Sequence, residues 1–147
     1  MCDFNVVIDS TKSLSGDVNN KEYGFDFGVM DEGNYHVSFA FSSVGFNSVD
    51  DADTDPFSIH IPNIGSQLRS YKAGDALSAK TSSLIGFIKK HAQNGKEYYK
   101  SEPISNPPIK VKLTPTASSF RVELRNSANL LATTTSNYFM ILSFKKI

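Results

Sequence analysis

Three histidines are the side chains of this 147-residue chain best suited to acid–base chemistry or metal binding near neutral pH. His36 and His60 each lie between apolar neighbours in segments of alternating hydrophobicity, so we expect both to point to the outer face of a strand. If the two strands were adjacent, the two rings could share a metal ion. No His-x-His or Cys-x-x-Cys spacing supports such a site, and a solvated strand histidine is the commoner case. His91 follows two lysines at a predicted strand end, and we interpret it as a surface residue.

Asp51, Asp53 and Asp55 alternate as carboxylates do at the start of a calcium-binding loop, where they converge on one cation. The rest of that motif is missing. Pro56 stands where the loop glycine belongs, and Pro62 occupies the twelfth position in place of glutamate. A solvated acidic loop is therefore the preferred interpretation, and the sequence leaves open whether the three aspartates bind a cation.

The motifs of nucleophilic catalysis and phosphate binding are missing from the chain. Cys2 has no structured neighbourhood, no serine lies in a Gly-x-Ser-x-Gly elbow, and there is no glycine-rich phosphate loop with its lysine. Two carboxylates of the glycosidase kind could converge from any two positions, but no spacing indicates a pair. We therefore expect no enzymatic activity, and we predict no catalytic, cofactor-binding or metal-binding residue, no cofactor and no small-molecule substrate.

The elements that must position all these residues are β-strands, because nearly every hydrophobic stretch alternates with period two. The clearest cases begin at Tyr35 and at Tyr138. The pattern predicts nine strands, at residues 3–10, 22–30, 35–41, 57–61, 82–91, 97–101, 109–113, 120–124 and 138–145. We expect surface loops at residues 13–21 and 42–56, and a crossover with one helical turn within residues 63–80. Turn residues predict two hairpins, one at residues 31–33, where Gly33 can take positive φ, and one at Asn94-Gly95.

These strands predict a single all-β domain over residues 1–147, an antiparallel two-sheet sandwich with the jelly-roll arrangement of about eight or nine strands. An immunoglobulin-like sandwich and a small barrel are the alternatives. The jelly roll is favoured because it is usually somewhat larger than an immunoglobulin domain and because the chain has no Cys-Trp-Cys core. The long segments at residues 42–56 and 63–81 also suit Greek-key connections.

Composition limits the partners of the protein. Fifteen basic residues balance fifteen acidic ones, so no net field favours nucleic acid or anionic lipid. We expect no nucleic-acid binding and no membrane insertion, since no window approaches the length of an apolar membrane helix. The lone Cys2 and the lack of a signal-peptide pattern predict synthesis in a reducing cytoplasm. Outward-facing lysines, which we interpret as keeping the sheets soluble and their edges unpaired, are Lys110, Lys112, Lys145 and Lys146.

The closing strand departs from simple alternation. Phe139 and Ile141 lie on the face opposite Tyr138 and Met140, so this strand is apolar on both faces. A strand of that kind is normally covered on both sides. Either a loop of the same chain or another subunit must cover Phe139 and Ile141, and the second case would make the protein a component of an assembly.

Several segments together resemble the small single-jelly-roll minor capsid, or cement, proteins of large icosahedral double-stranded DNA viruses, such as those that infect algae. They are the opening Val-Val-Ile-Asp-Ser, Gly33-Asn-Tyr35-x-Val-x-Phe, Pro56-Phe-x-Ile-x-Ile-Pro-Asn-Ile-Gly, Ile85-Gly-Phe-Ile, Phe120-x-Val-x-Leu-Arg-Asn and Tyr138-Phe-Met-Ile-Leu-x-Phe. The resemblance implies a structural role in the virion. The protein would link capsomers through contacts with other capsid proteins and with copies of itself, without substrate or cofactor.

Two other functions remain open. The strand that begins at Gly33 is also similar to one in the trimeric tumour-necrosis-factor-like and C1q-like jelly rolls, which pack flat aromatic faces around a threefold axis. A carbohydrate-binding or receptor-binding sandwich would need exposed aromatic side chains, for which the candidates are Phe46, Tyr71, Tyr98 and Tyr99. The absence of tryptophan weakens that alternative.

Overall fold

The computed structural model describes residues 3–17, 20–25, 31–44, 57–62, 64–66, 84–93, 96–102, 106–113, 119–125, 131 and 137–147. These residues form eleven strands: β1 (Asp3–Asp9), β2 (Ser15–Asp17), β3 (Asn20–Gly24), β4 (Gly33–Val44), β5 (Phe57–His60), β6 (Gly65–Ser66), β7 (Leu84–Gln93), β8 (Lys96–Lys100), β9 (Ile109–Leu113), β10 (Ser119–Arg125) and β11 (Phe139–Lys146). One 3-10 turn at Ser10–Lys12 follows β1. Within the described residues there is no helix long and apolar enough to cross a membrane.

The strands pair antiparallel throughout, in the order β1-β11-β4-β8-β7-β5-β10-β3-β2. β9 lies beside the first half of β4, and β6 pairs with β9. Two strands from distant parts of this order approach each other, because Lys21 Nζ of β3 donates a hydrogen bond to the carbonyl oxygen of Ser10, directly after β1. The protein is therefore an all-β protein built on a curled antiparallel sheet.

Two long strands let the sheet curl, because each pairs with different neighbours along its length. The first half of β7 pairs with β5, and its second half pairs with β8. Similarly, β4 pairs with β9 near its start and with β8 near its end. The register of β7 and β8 places Gln93 opposite Lys96, which confirms the hairpin predicted around Asn94-Gly95. Those two turn residues themselves lie outside the described part.

The predicted strands that begin near residues 3, 35, 57, 97, 109, 120 and 138 are all confirmed. The strand predicted at residues 82–91 is confirmed from Leu84 onward, and the one predicted at residues 22–30 is confirmed for residues 22–24. Residues 82–83 and 26–30 lie outside the described residues. The hairpin predicted at residues 31–33 is wrong. Gly33 does take a positive φ of 148°, but β3 pairs with β2 and β10, whereas β4 pairs with β11, β9 and β8. Both edges of each strand are thus occupied, so the chain crosses between different parts of the sheet there.

Two predicted loops also contain strand. Residues 13–21 include β2 and the start of β3, which pair with each other in the register Asp17 opposite Asn20. Ser42 opens the other predicted loop but belongs to β4, which continues to Val44 because β8 offers hydrogen-bonding partners there. The remainder of that segment, residues 45–56, lies outside the described residues.

The core is formed by the inward side chains of the alternating strands and is rich in stacked aromatic rings. Phe4 stacks on Phe144 with ring centroids 5.0 Å apart, and Phe41 stacks on Tyr138 at 5.1 Å. Such pairs add to the free energy gained from burial of apolar area. Further fully buried core residues are Tyr35, Phe57, Ile59, Ile88, Val111, Val122, Leu124, Met140 and Leu142.

Candidate functional site

The outer face of β1, β11 and β4 carries the residues that alternate with the core positions, and the strand register arranges them in rows. One row consists of Val7, Ile141 and Ala40, and the next consists of Asn5, Ser143 and Ser38. Side chains directly opposite each other on neighbouring strands are close enough to form one surface. We call Val7, Ala40, Phe139 and Ile141 the apolar half of this face, although Phe139 itself lies between Asp9 of β1 and Ser42 of β4. The polar half consists of Asn5, His36, Ser38, Ser143 and Lys145, and Asp3 of β1 lies opposite Lys145.

The apolar half leaves large hydrophobic side chains in contact with solvent. Val7 is 60% exposed and Phe139 is 43% exposed, and Ala40 is also exposed while Ile141 is half-buried. The neighbouring Met140 and Leu142 are fully buried. This confirms that Phe139 and Ile141 face away from the core. The described residues leave Phe139 partly uncovered.

The polar half forms the lining of a cleft of about 380 Å³. All five of its residues line this cleft, together with Phe4, Pro108 and Phe144. Within the described part of the chain, no side-chain hydrogen bond or ion pair engages these five polar groups.

Charged residues of both signs border this cleft. Lys145 and Lys110 are the cross-strand neighbours of His36, one on each side, and both lysines are exposed. Asp3 of β1 is in turn the cross-strand neighbour of Lys145. The alternation of the sequence predicts that each of these residues points outward, but only the strand register brings them together.

The histidines lie in three different environments. His36 is exposed on β4, as predicted. The prediction for His60 is wrong, because this residue is only 3% exposed and its Nε2 lies 2.9 Å from Ser58 Oγ. β5 is buried on both faces, and its edges pair with β7 and β10. His36 and His60 are not on paired strands, so they do not form the metal site considered from the sequence.

His91 is half-buried, and its Nε2 lies 3.4 Å from Glu102 Oε1. It therefore lies beside a carboxylate and is less exposed than the prediction of a plain surface position implies. Among the described residues, no group of three or more His, Cys, Asp or Glu side chains could hold a metal ion. Cys2, Asp51, Asp53 and Asp55 lie outside the described residues.

Two buried polar clusters tie distant segments together. Tyr23 Oη donates a hydrogen bond to Tyr138 Oη at 2.7 Å. Desolvation by burial raises the pKa of Tyr23 to about 12, and burial likewise raises the pKa of Tyr138.

The second buried polar cluster is centred on Asn106. The side chain of Asn106 accepts a hydrogen bond from Phe87 N and donates to Phe87 O and Glu102 O. All of these partners lie within the protein, so both clusters have a clear structural role.

The aromatic residues considered for carbohydrate stacking do not form an exposed platform in the described residues. Tyr99 is 2% exposed and stacks on Phe57 in the core, so it is wrong as a stacking candidate. Phe46 and Tyr71 lie outside the described residues, as does the side chain of Tyr98.

No family of known proteins matches this chain, and no curated protein sequence matches it either. The structure places the chain in the all-β class, with a curled antiparallel sheet.

Proposed function

We propose that this chain is a minor capsid or cement protein, a non-enzymatic structural subunit of the particle of a large icosahedral double-stranded DNA virus. It would be made in the host cytoplasm and become part of the virion. Its partners would be other capsid proteins and copies of itself. We further propose that the curled sheet is a two-sheet jelly-roll sandwich, with β4 and β7 as the strands that pass from one sheet to the other.

The observation that carries this proposal is the apolar half of the outer face. Val7 and Phe139 are large side chains held on neighbouring strands with much of their surface in water. Apolar surface of this kind is the usual centre of a protein–protein contact, where burial supplies most of the association free energy. A neighbouring capsid subunit is the occupant that we propose.

The edge of the sheet beside this surface supports the same role. β1 is the first strand of the described sheet order and pairs with β11 on one side. Val7 therefore lies next to an edge where a partner strand could add to the sheet through main-chain hydrogen bonds. A contact that combined this edge with the apolar half would fix both the position and the orientation of the subunit.

Mass spectrometry of purified virus particles tests the role directly. We expect peptides of this chain in particles that have been stripped of loosely bound protein by salt washes. If the protein is absent from such particles while it is abundant in infected cells, the proposal is wrong.

The surface is tested by the double substitution Val7→Ser with Phe139→Ser in a tagged copy expressed during infection. Both side chains are largely exposed, so the variant should fold, which its circular dichroism spectrum checks. We expect its incorporation into particles to fall by about tenfold or more, because two apolar anchors would be lost. The matched control is Leu14→Ser, which changes a residue that is 66% exposed elsewhere on the protein. Equal incorporation of the double variant and the control would rule out this surface.

A further inference from the structure

We propose that the outer face of β1, β11 and β4 binds the same face of a second copy of this chain, about a two-fold axis that runs along β11. The inference rests on the proposed function in taking the apolar half as a contact surface, and it names the occupant of that surface. In this arrangement β1 of each copy lies over β4 of the other, and β11 lies over β11. The strands of the two copies run in nearly the same direction, as in the aligned packing of two sheets.

The apolar half is self-complementary about this axis. Phe139 and Ile141 lie on β11 itself, so each meets the same residue of the second copy, and two phenyl rings stack favourably with an offset. Val7 and Ala40 are the neighbours of Ile141 on either side, so Val7 of each copy meets Ala40 of the other. The 60% exposed Val7 therefore packs against a small side chain that leaves room for it. All four residues lose contact with water on association.

The charges at one end of the face fit the same axis. One cross-strand row runs from Asp3 of β1 through Lys145 of β11 and His36 of β4 to Lys110 of β9. The acidic residue lies on one side of the axis, whereas His36 and Lys110 lie on the other side. Asp3 keeps Lys145 of its own chain as a neighbour, and the axis places it over His36 of the second copy, between two lysines. This pairing occurs twice in the dimer and sets the relative orientation of the copies.

The opposite end of the face has the same arrangement of charge. The row there runs from Asp9 of β1 through Phe139 and Ser42 to Lys100 of β8. The axis places Asp9 of one copy over Ser42 of the other, next to Lys100. The side chain of Lys100 is 41% exposed, and its Nζ lies 3.8 Å from Glu102 Oε1, so this end contributes less than the first. Both ends nevertheless carry the acidic residue on the β1 side of the axis and a basic residue on the other side.

The two aspartates of β1 disfavour other ways of pairing two copies. An axis perpendicular to the strands would lay Asp3 of one β1 strand over Asp9 of the other. Antiparallel pairing of the two β1 edges about Val6 would also place Asp3 opposite Asp9. Like charges that face each other directly destabilise both arrangements. The axis along β11 avoids these contacts.

Sedimentation of the purified protein tests self-association. Three strands form a face smaller than the roughly 800 Å² that a standard interface buries on each partner, so we expect a weak dimer, with a dissociation constant on the order of 10–100 µM. The double substitution Val7→Ser with Phe139→Ser should raise this constant by about tenfold or more. The control Leu14→Ser should leave it within a factor of about two. A monomer up to millimolar concentration would overturn the inference, and so would a dimer that the double substitution does not weaken.

The charge pairing is tested by Asp3→Lys, which would bring a further positive charge over His36 of the second copy. We expect the dimer to weaken by about tenfold, because two attractive pairs become repulsive. The matched control Glu32→Lys makes the same change of charge at an exposed residue outside the face. Equal effects of the two substitutions would mean that net charge and not this pairing controls association, and the proposed orientation would be wrong.

Cross-linking with a short bismaleimide tests the axis in a Cys2→Ser background. Phe139→Cys and Ser143→Cys each place a thiol on β11, which faces its own copy at the spacing of packed sheets, about 10 Å. Both variants should therefore form covalent dimers. Lys110→Cys should not, because its two copies are offset by four strand spacings, about 19 Å. Cross-linking at only one of the two β11 positions would mean that the axis crosses the strands, which contradicts the inference.

These results are distinguishable from a failure of the virion role. A protein that is monomeric in solution but enters particles through Val7 and Phe139 binds a different capsid protein there, so the second copy would be the wrong occupant while the role stands. A dimer of a protein that is absent from particles would remove the virion role and leave the self-association intact.

Discussion

The hydroxyl of Tyr23 on β3 donates a hydrogen bond to the hydroxyl of Tyr138, which directly precedes β11, at 2.7 Å. The two residues are far apart in the strand order, so this bond joins opposite ends of the curled sheet. Tyr138 is held from the other side by Ser10, whose Oγ accepts a hydrogen bond from Tyr138 N at 2.8 Å. The contact between these distant strands thus depends on a small buried polar cluster as well as on apolar packing.

A double-mutant cycle on this pair should reveal a coupling free energy. Tyr23→Phe and Tyr138→Phe each leave one buried hydroxyl without its tyrosine partner, and we expect each to lower the free energy of unfolding by about 1–3 kcal/mol. The double variant removes both hydroxyls and should lose less than the sum of the two. Urea unfolding measures all four proteins. Strict additivity would show that the hydrogen bond contributes nothing to closure.

The same pair predicts a loss of stability in alkali. Desolvation raises the pKa of Tyr23 to about 12 in the folded protein, against an ordinary value near 10 in the unfolded chain. Above pH 10 the unfolded chain therefore releases this proton while the folded protein keeps it, so the free energy of unfolding falls as pH rises from about 10 to 12.

Urea midpoints measured between pH 8 and pH 12 test this alkaline effect. The decrease should be shallower in the variant that carries both Tyr23→Phe and Tyr138→Phe, because that variant lacks the two phenols. If the urea midpoint of the double variant falls as steeply with pH as that of the unmodified protein, groups other than these two tyrosines cause the loss of stability.

Gly86→Ala should destabilise the protein, because a methyl group at this position has no room. A Cβ atom there would overlap the ring of Phe39 and would lie 2.5 Å from Asn106 Oδ1. Accommodating it requires displacement of a ring packed against the core or of an amide with three hydrogen bonds, and we expect a loss of about 1–3 kcal/mol. Adding Phe39→Leu should recover part of the loss in thermal unfolding. No recovery would show that the contact with Asn106 dominates.

Asn106→Ala should be among the more damaging polar substitutions. It removes three hydrogen bonds to the backbone of Phe87 and Glu102, and the site is buried. At about 1 kcal/mol for each bond, the free energy of unfolding should fall by about 3 kcal/mol. The control Asn34→Ala changes an exposed amide and should cost less than about 0.5 kcal/mol in the same chemical denaturation experiment. Similar effects of the two substitutions would contradict the structural role of Asn106.

Local sequence pattern was sufficient for most strands, for the outward direction of His36 and for the second apolar face at Phe139. These depend on alternation along one strand, which the order of apolar and polar residues encodes directly. It failed for His60, although the segment of this residue alternates, and for Tyr99, which lies in the largely polar segment Lys96–Lys100. In both cases, segments far away in the sequence bury a side chain that the local pattern predicts to be exposed. The local order of apolar and polar residues does not encode burial of that kind.

The sequence by itself determined that this protein is all-β and which side of most strands faces the core, because period-two alternation is a local property of the chain. Only the tertiary structure decided that β3 and β4 are separated, that Tyr23 meets Tyr138, and that Asn5, Ser143 and Ser38 form one row beside Lys145 and His36. These relationships depend on which strands pair and in what register. The pairing and register of strands are set by the total free energy of contacts between residues far apart in sequence. No short segment of the chain therefore specifies them.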